Sequence, residues 1–392
     1  MLLSENLLGD SIKLQKIANF FFALPFEWDS SANKFKVLPR SRALTLYWLG
    51  FLLNFSHVLI ATILGLLSRK TDTDPVSRSI TILFVCGEWA SVYIQWTQVK
   101  HKKMIVYLLN NMITYESTHN KEKWRASDLK SVGAKNLMQQ FTSSTLIMPI
   151  VMVALYAVKP CLPVSISSVI LDECNSECGR ISSISSWIFK LLYLLYNAKI
   201  YSFVVIGAFY FFQNEMFLKT YCLLRYLQLL KSKITDTSAS SQYIKRISHD
   251  YRIIQTMAHV FNGIYQKWAI VILLIFQTIV QINGFCSVIR FGKEMEVAEN
   301  ALFLITAFNA VSIILIVYGS AAHVNLCSAG VIKSFKRVTT KMGRERKWWI
   351  RFVRSCPDVK IRFGATNHIY QLSPINYMDF NINQTVTVLI AT

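Results

Sequence analysis

The sequence predicts an all-α membrane protein: a bundle of seven transmembrane helices, N-terminus cytoplasmic and C-terminus extracellular, with helices running on into a cytoplasmic anchor domain. Three observations predict it. Of the 392 residues, 53% are hydrophobic and 16% charged, and the mean hydropathy is +0.36, a balance far from that of soluble domains. Seven stretches are long enough, at about 1.5 Å per residue, to cross roughly 30 Å of hydrocarbon. The Lys and Arg residues between them fall on alternate connections, with 33 in the N-terminal arm and in 98–140, 213–267 and 320–366, against 7 in 68–78, 159–186 and 290–300. Basic loops stay in the cytoplasm, so the arm and the three large loops are expected inside. In a soluble chain the formal net charge of +20 would point to nucleic acid. Here sidedness accounts for it, and the expected surroundings are a lipid bilayer, as in a multi-pass plasma-membrane protein, with no nucleic acid.

The chain is expected to form one domain, 1–392. Its beginning carries Glu5 and Asp10 where a secretory signal would be basic, so no signal peptide is expected. The apolar run 17–26 is too short to span and is followed by Glu27 and Asp29, which places it at the interface or against the bundle. The first span is 43–67, preceded by Lys34, Lys36, Arg40 and Arg42. Its Asn54-Phe55-Ser56 sequon lies within the membrane and should stay bare. Further spans are expected at about 79–97, 141–158, 187–212, 268–290, 301–319 and 374–392. No internal repeat of the kind used by two-halved transporters is visible.

Charges inside spans are costly and call for partners. Glu88 in the second span and Lys199 in the fourth sit near mid-span, at similar depth, and are expected to pair. Cys161, Cys174 and Cys178 share the second outer loop, where a bridge from Cys161 to either of the others would leave one thiol over. A metal site from three cysteines without a nearby His is disfavoured, and no metal or other cofactor is expected. With Pro160, Pro163, Asp172, Glu173 and Glu177, that loop is placed to lid a pocket from outside.

Helical spacing continues into the cytoplasmic loops, where Tyr226, Leu229, Leu230 and Ile234 recur, as do Ile253, Met257, Val260 and Phe261. The stretch 331–353 reads as one basic amphipathic helix with Phe335, Trp348, Trp349 and Phe352, suited to a lipid surface or a subunit contact. The phosphate-loop, zinc-helix, paired Cys-x-x-Cys and potassium-filter motifs are all missing, so an enzyme is not expected. Ser373-Pro374-Ile375-Asn376-Tyr377 reads as a helix start, with Ser373 as N-cap and Pro374 at the first helical position.

The final span is the polar one. Asn376, Asp379, Asn383 and Thr387 recur at spacings of three, four and four, forming a stripe that lipid would reject and that protein or a water-filled cavity would accept. A pore-lining helix is one reading, and a polar helix packed inside a bundle is another.

Seven spans, an internal N-terminus, large cytoplasmic helical loops and a short third outer loop together resemble the insect odorant and gustatory receptor superfamily. The likeness in residues is concentrated in 246–290 and in the tail: Trp348-Trp349, Ser355-Cys356-Pro357, Phe363-Gly364 and Thr385-Val386-Thr387-Val388-Leu389-Ile390. Two positions depart from the family's common ending: Val386 follows the Thr where Tyr is usual, and Ala391 stands where Gln is expected. The resemblance implies a chemosensory receptor subunit acting as a ligand-gated, non-selective cation channel of four subunits, as a homotetramer or a heterotetramer with a shared co-receptor. It puts the pore constriction at Val388, with Thr387 and Thr392 as neighbours. It puts a site for a small apolar odorant or tastant in the outer half of the bundle, where this chain offers Phe84, Met148, Met152, Tyr156, Trp187, Leu191 and Phe303. A secondary transporter with polar residues at mid-membrane is the alternative, and a G-protein-coupled receptor a more distant one.

Overall fold

The computed structural model describes residues 5–39, 42–67, 75–119, 129–158, 184–235, 241–339, 346–365 and 367–391. After α1 (Glu5–Phe20) comes a hairpin of β1 (Phe26–Asp29) and β2 (Lys34–Val37), then α2 (Arg42–Leu67), α3 (Pro75–His119), α4 (Leu129–Val158) and α5 (Ile184–Tyr210). A π-helical segment (Phe211–Leu218) joins α5 to α6 (Lys219–Thr235), and α7 (Ser241–Tyr265), α8 (Ala269–Phe291) and α9 (Val297–Ile313) follow. A second π-helical segment (Ile314–Tyr318) leads into α10 (Gly319–Thr339). The chain ends with α11 (Arg346–Arg354), a minimal strand pair β3 (Arg362–Phe363) and β4 (Asn367–His368), and α12 (Ser373–Ala391).

The hairpin was not expected from the sequence. Asp29 makes its turn, its carboxylate accepting the Ser31 hydroxyl at 2.5 Å and the backbone N–H groups of Ser31 and Ala32 at 3.0 and 3.2 Å. These donors, the Ser31 hydroxyl foremost, hold the Asp29 carboxyl at about 2, below the ordinary carboxylate range. The Asn110 side chain on α3 accepts the Phe35 N–H and donates to the Phe35 carbonyl, at 2.8 and 2.9 Å. Ala18, Ala23, Leu24 and Phe26 are buried, so the run 17–26 packs against the bundle.

Helix α2 shows what solvent the upper bundle is built for. Tyr47, Phe51, Asn54, His57, Val58 and Ala61 form its buried stripe, while Leu49, Leu52, Ile63 and Leu66 are exposed. A helix whose polar groups face protein and whose Leu and Ile face out is arranged for lipid. Asn54 donates to Gln95 Oε1 at 3.1 Å, and Gln95 donates to Ser91 Oγ at 3.4 Å, so the sequon asparagine is buried within the helix bundle.

Among the described residues, four helical stretches are long and apolar enough to cross a membrane: Arg42–Leu67, Leu191–Thr235, Ala269–Phe291 and Glu299–Thr339. The other expected spans, 79–97, 141–158 and 374–392, lie in α3, α4 and α12. In α3 the buried Glu88, Gln95 and Gln98 lower the hydropathy, and in α12 the polar stripe does so. Several side chains of α4 are outside the described part.

The lower bundle is formed by α6, α7, α10 and the far end of α3, with α10 lying along α6. At its top the two π-helical segments touch. There Lys219 donates to Glu215 and, at 3.0 Å, to the Tyr265 hydroxyl, which itself donates to Glu215, closing a triad in which each charge meets its opposite or a hydroxyl. The sequence reading did not single out Glu215 and Lys219, although a Glu four residues before a Lys is a recognisable helical pair.

The amphipathic stretch 331–353 is not one helix. It is divided between α10 and α11, with 340–345 outside the described residues. Trp349 is buried, and Trp348 stacks on Phe352 at 5.6 Å between centroids. The aromatic face therefore packs on protein, because α11 folds back along α10.

Candidate functional site

A cavity of about 150 Å³ lies between α3, α4, α5, α8 and α9. Leu83, Phe84, Gly87 and Glu88 contribute from α3, Met148 and Met152 from α4, and Tyr201, Val205 and Phe209 from α5. Phe276, Gln277 and Val280 come from α8, and Thr306, Asn309 and Ala310 from α9. Helical periodicity places these residues on inward stripes, at steps of three and four along each helix.

Of the ligand residues expected from sequence, Phe84, Met148 and Met152 line this cavity. Phe303 is fully buried a turn before Thr306, in one packed cluster with Phe84, Met148 and Val280, but does not line the cavity. Leu191 is 58% exposed on the outer surface. Trp187 and Tyr156 belong to α5 and α4, and their side chains lie outside the described part, as do Cys161, Cys174 and Cys178. The cavity thus lies further along α5 and α9 than the expected residues, at Tyr201, Val205 and Phe209 and at Thr306 and Ala310, and it recruits α8, which the sequence reading omitted.

The expected Glu88–Lys199 pair does not form. Glu88 is 2% exposed and accepts the Tyr201 hydroxyl at 3.0 Å, and its Oε1 lies 3.3 Å from His57 Nε2. Lys199 is exposed and donates to the Phe21 carbonyl at 3.3 Å, with the rings of Phe21 and Phe22 at 5.5 and 5.3 Å. Matching depth was a correct observation but rotation was ignored: two residues along a helix is about 200°, so when Tyr201 faces Glu88, Lys199 faces away. The real partners, His57 and Tyr201, could have been found as polar groups on the otherwise apolar inward stripes.

The terminal helix α12 has three faces. One packs on α8 through Pro374, Tyr377, Met378, Asn381 and Thr385. The Tyr377 hydroxyl bonds to the Thr278 hydroxyl and the Leu274 carbonyl, and the Asn381 amide donates to Gln281 Oε1. The Cys286 thiol reaches the Thr385 carbonyl at 3.6 Å. Opposite this face Asn376, Asp379, Asn383 and Thr387 are all exposed. Asn383 donates to Asp379 at 3.4 Å, and Thr387 to the Asn383 carbonyl at 2.8 Å. A third, apolar flank exposes Ile375, Ile382 and Val386. Val388 is 37% exposed and stands about 100° around the helix from Thr387, so the two cannot both point straight at one axis; Thr392 is outside the described residues.

Ser373 does not cap forward as expected. Its hydroxyl accepts the Tyr370 N–H at 2.8 Å, closing the turn behind the helix, as a residue three places into a helix does in a capping box.

Helix α8 connects the two sites. Its Leu273, Phe276, Gln277 and Val280 line the cavity, while Leu274, Thr278 and Gln281 on the adjoining stripe hold α12.

No family model and no curated protein matches the sequence. In three dimensions the chain is similar to the insect olfactory receptor OR5 from Machilis hrabei, with a TM-score of 0.67, and to the same receptor in complex with eugenol, at 0.65. In both comparisons 10% of residues are identical and 97% of each chain is covered. The similarity spans the upper helices, the lower bundle and α12 alike, and the protein therefore has the fold of an insect olfactory receptor.

Proposed function

We propose that the protein is a chemosensory receptor subunit, odorant or gustatory, that acts as a ligand-gated cation channel. The observation that carries this reading is the exposed stripe of Asn376, Asp379, Asn383 and Thr387 on the side of α12 opposite its packing face. Exposed to lipid, four polar side chains in line would be costly. Facing copies of themselves around a central axis they line a wet lumen, in which rings of Asp379 attract cations. The flank of Ile375, Ile382 and Val386 then meets the neighbouring subunit, and four copies complete the pore. In this reading α12 crosses the bilayer as the seventh span with its end outside, and Val388 is assigned as the constriction on the resemblance.

In this reading a small, mostly apolar odorant or tastant enters the cavity between α3, α4, α5, α8 and α9, and α8 transmits its presence to α12. The test is expression in cells, alone and with a shared co-receptor subunit, under voltage clamp with a panel of volatiles and tastants. Ligand-evoked cation currents that persist without nucleotide support the reading. Currents that saturate and track substrate flux would replace it with the transporter.

A further inference from the structure

We propose that the cavity is built for a small organic amine, whose ammonium group is taken by the free oxygen of Glu88 while its apolar body fills the space beside Phe84 and Phe276. This rests on the reading of the cavity as a ligand pocket and adds the chemical class of the ligand. The volume, about 150 Å³, is that of an apolar cavity that takes one benzene ring. Most of the wall is apolar, and three of its polar side chains are occupied. Ser91 donates to the Val204 carbonyl at 3.4 Å, Thr306 to the Leu302 carbonyl at 2.8 Å, and Tyr201 to Glu88 at 3.0 Å.

Two are not. Glu88 Oε2 and both amide atoms of Gln277 have no hydrogen-bonding partner among the described residues, although Glu88 is 2% and Gln277 1% exposed. Buried polar atoms are rarely left in that state, because each forfeits its hydration for nothing. Both residues line the same cavity, so one occupant can satisfy both.

The charge selects the occupant. The Tyr196 hydroxyl lies 3.4 Å from His57 Nδ1, and His57 Nε2 lies 3.3 Å from Glu88 Oε1. Both contacts of the carboxylate, the Tyr201 hydroxyl and His57, lie on Oε1, and Lys199 is directed to Phe21, so among the described residues no Lys or Arg reaches Oε2. An alcohol would supply a hydrogen bond and leave the charge uncompensated, and a hydrocarbon would supply neither. An ammonium supplies both, with further N–H groups for the Gln277 carbonyl and an aromatic wall that tolerates a cation.

The experiment is calorimetric binding to the purified full-length protein in nanodiscs at neutral pH, with benzylamine, benzyl alcohol and toluene as probes of one shape. The expected result is that benzylamine binds at least about tenfold more tightly than benzyl alcohol, the scale of a charge-assisted hydrogen bond. Glu88→Gln should erase that difference, and Met148→Trp, by filling the cavity, should abolish benzylamine binding. The wild-type preference needs no variant and stands even where Glu88→Gln fails to fold. Equal or weaker binding of the amine, or a preference that survives Glu88→Gln, overturns the proposal. If benzyl alcohol binds and the amine does not, the pocket reading stands and the amine is wrong; if none of the three binds, both are wrong.

Discussion

Asn381 donates its side-chain amide to Oε1 of Gln281, a residue that directly follows Val280 in the cavity wall and lies one turn beyond Gln277. Two uncharged side chains thus tie the helix with the polar stripe to the helix that borders the cavity, where neither lipid nor a packed apolar neighbour can replace the bond. Gln281→Leu should strand the buried Asn381 amide and destabilise the protein by about 1–3 kcal/mol. The double variant Gln281→Leu with Asn381→Leu should recover part of that loss, because no orphaned group remains. Thermal melting of the purified variants in detergent decides it, and strictly additive losses would count against the coupling.

A second clamp sits between α7 and the segment before α12. Asn262 on α7 donates to the Lys360 carbonyl at 2.7 Å and accepts the Arg362 N–H at 2.9 Å, and Gln266 meets the carbonyl of Gly364 at 2.9 Å. A side-chain amide here stands in for a neighbouring strand and holds the segment that leads into α12. Asn262→Ala removes both bonds and should lower stability by about 1–3 kcal/mol. Asn262→Asp keeps the acceptor and should fall between, by the same melting measurement.

The cavity separates two residues that sequence alone treated alike. Met148 lines it and Leu191 faces outward. Met148→Trp should therefore weaken responses to a cavity ligand by about tenfold or more, as expected when a pocket of ring size is filled. Leu191→Trp should leave the dose–response curve in place. Surface labelling run alongside excludes loss of expression as the cause.

In the proposed channel the constriction has two geometrically distinct candidates. Val388 is assigned by resemblance, yet Ile390, 81% exposed, lies nearer the line of Asn376, Asp379, Asn383 and Thr387 on the helical wheel. A ring of apolar side chains closes a pore by excluding water, so a serine at the true constriction should raise basal current. The account expects this of Val388→Ser. The same effect from Ile390→Ser alone would move the gate onto the stripe.

How much was legible in the sequence followed from periodicity. Tyr226, Leu230 and Ile234 are buried, as are Met257 and Phe261, because the steps of three and four that mark a helix also fix its inward face. The stripe on α12 was visible for the same reason. What periodicity does not carry is rotation between helices, and so Glu88 was matched by depth to Lys199 when the inward group was Tyr201. Nor does it carry local hydrogen bonding. The hairpin turned by Asp29 depends on three donors to one carboxylate, and Ser373 bonds backwards to Tyr370 because the chain makes an extra turn before the helix. Gly284 shows a third limit: a Cβ there would stand 3.0 Å from Ala307 Cβ, so α8 and α9 approach closely at a residue that reads in sequence as an ordinary helix glycine.

The central claim is that α12 lines a cation pore, and the most direct measurement is the reversal potential of ligand-evoked current as bath sodium is replaced, in wild type and in Asp379→Lys. A ring of four carboxylates in the lumen favours cations, and four ammonium groups in its place oppose them. The account predicts cation-selective current in wild type, and in Asp379→Lys a fall in cation relative to anion permeability with surface expression maintained. Evoked current whose ion selectivity is the same in Asp379→Lys as in wild type would contradict it, since a charge reversed inside the conducting path cannot go unnoticed by the ions that pass.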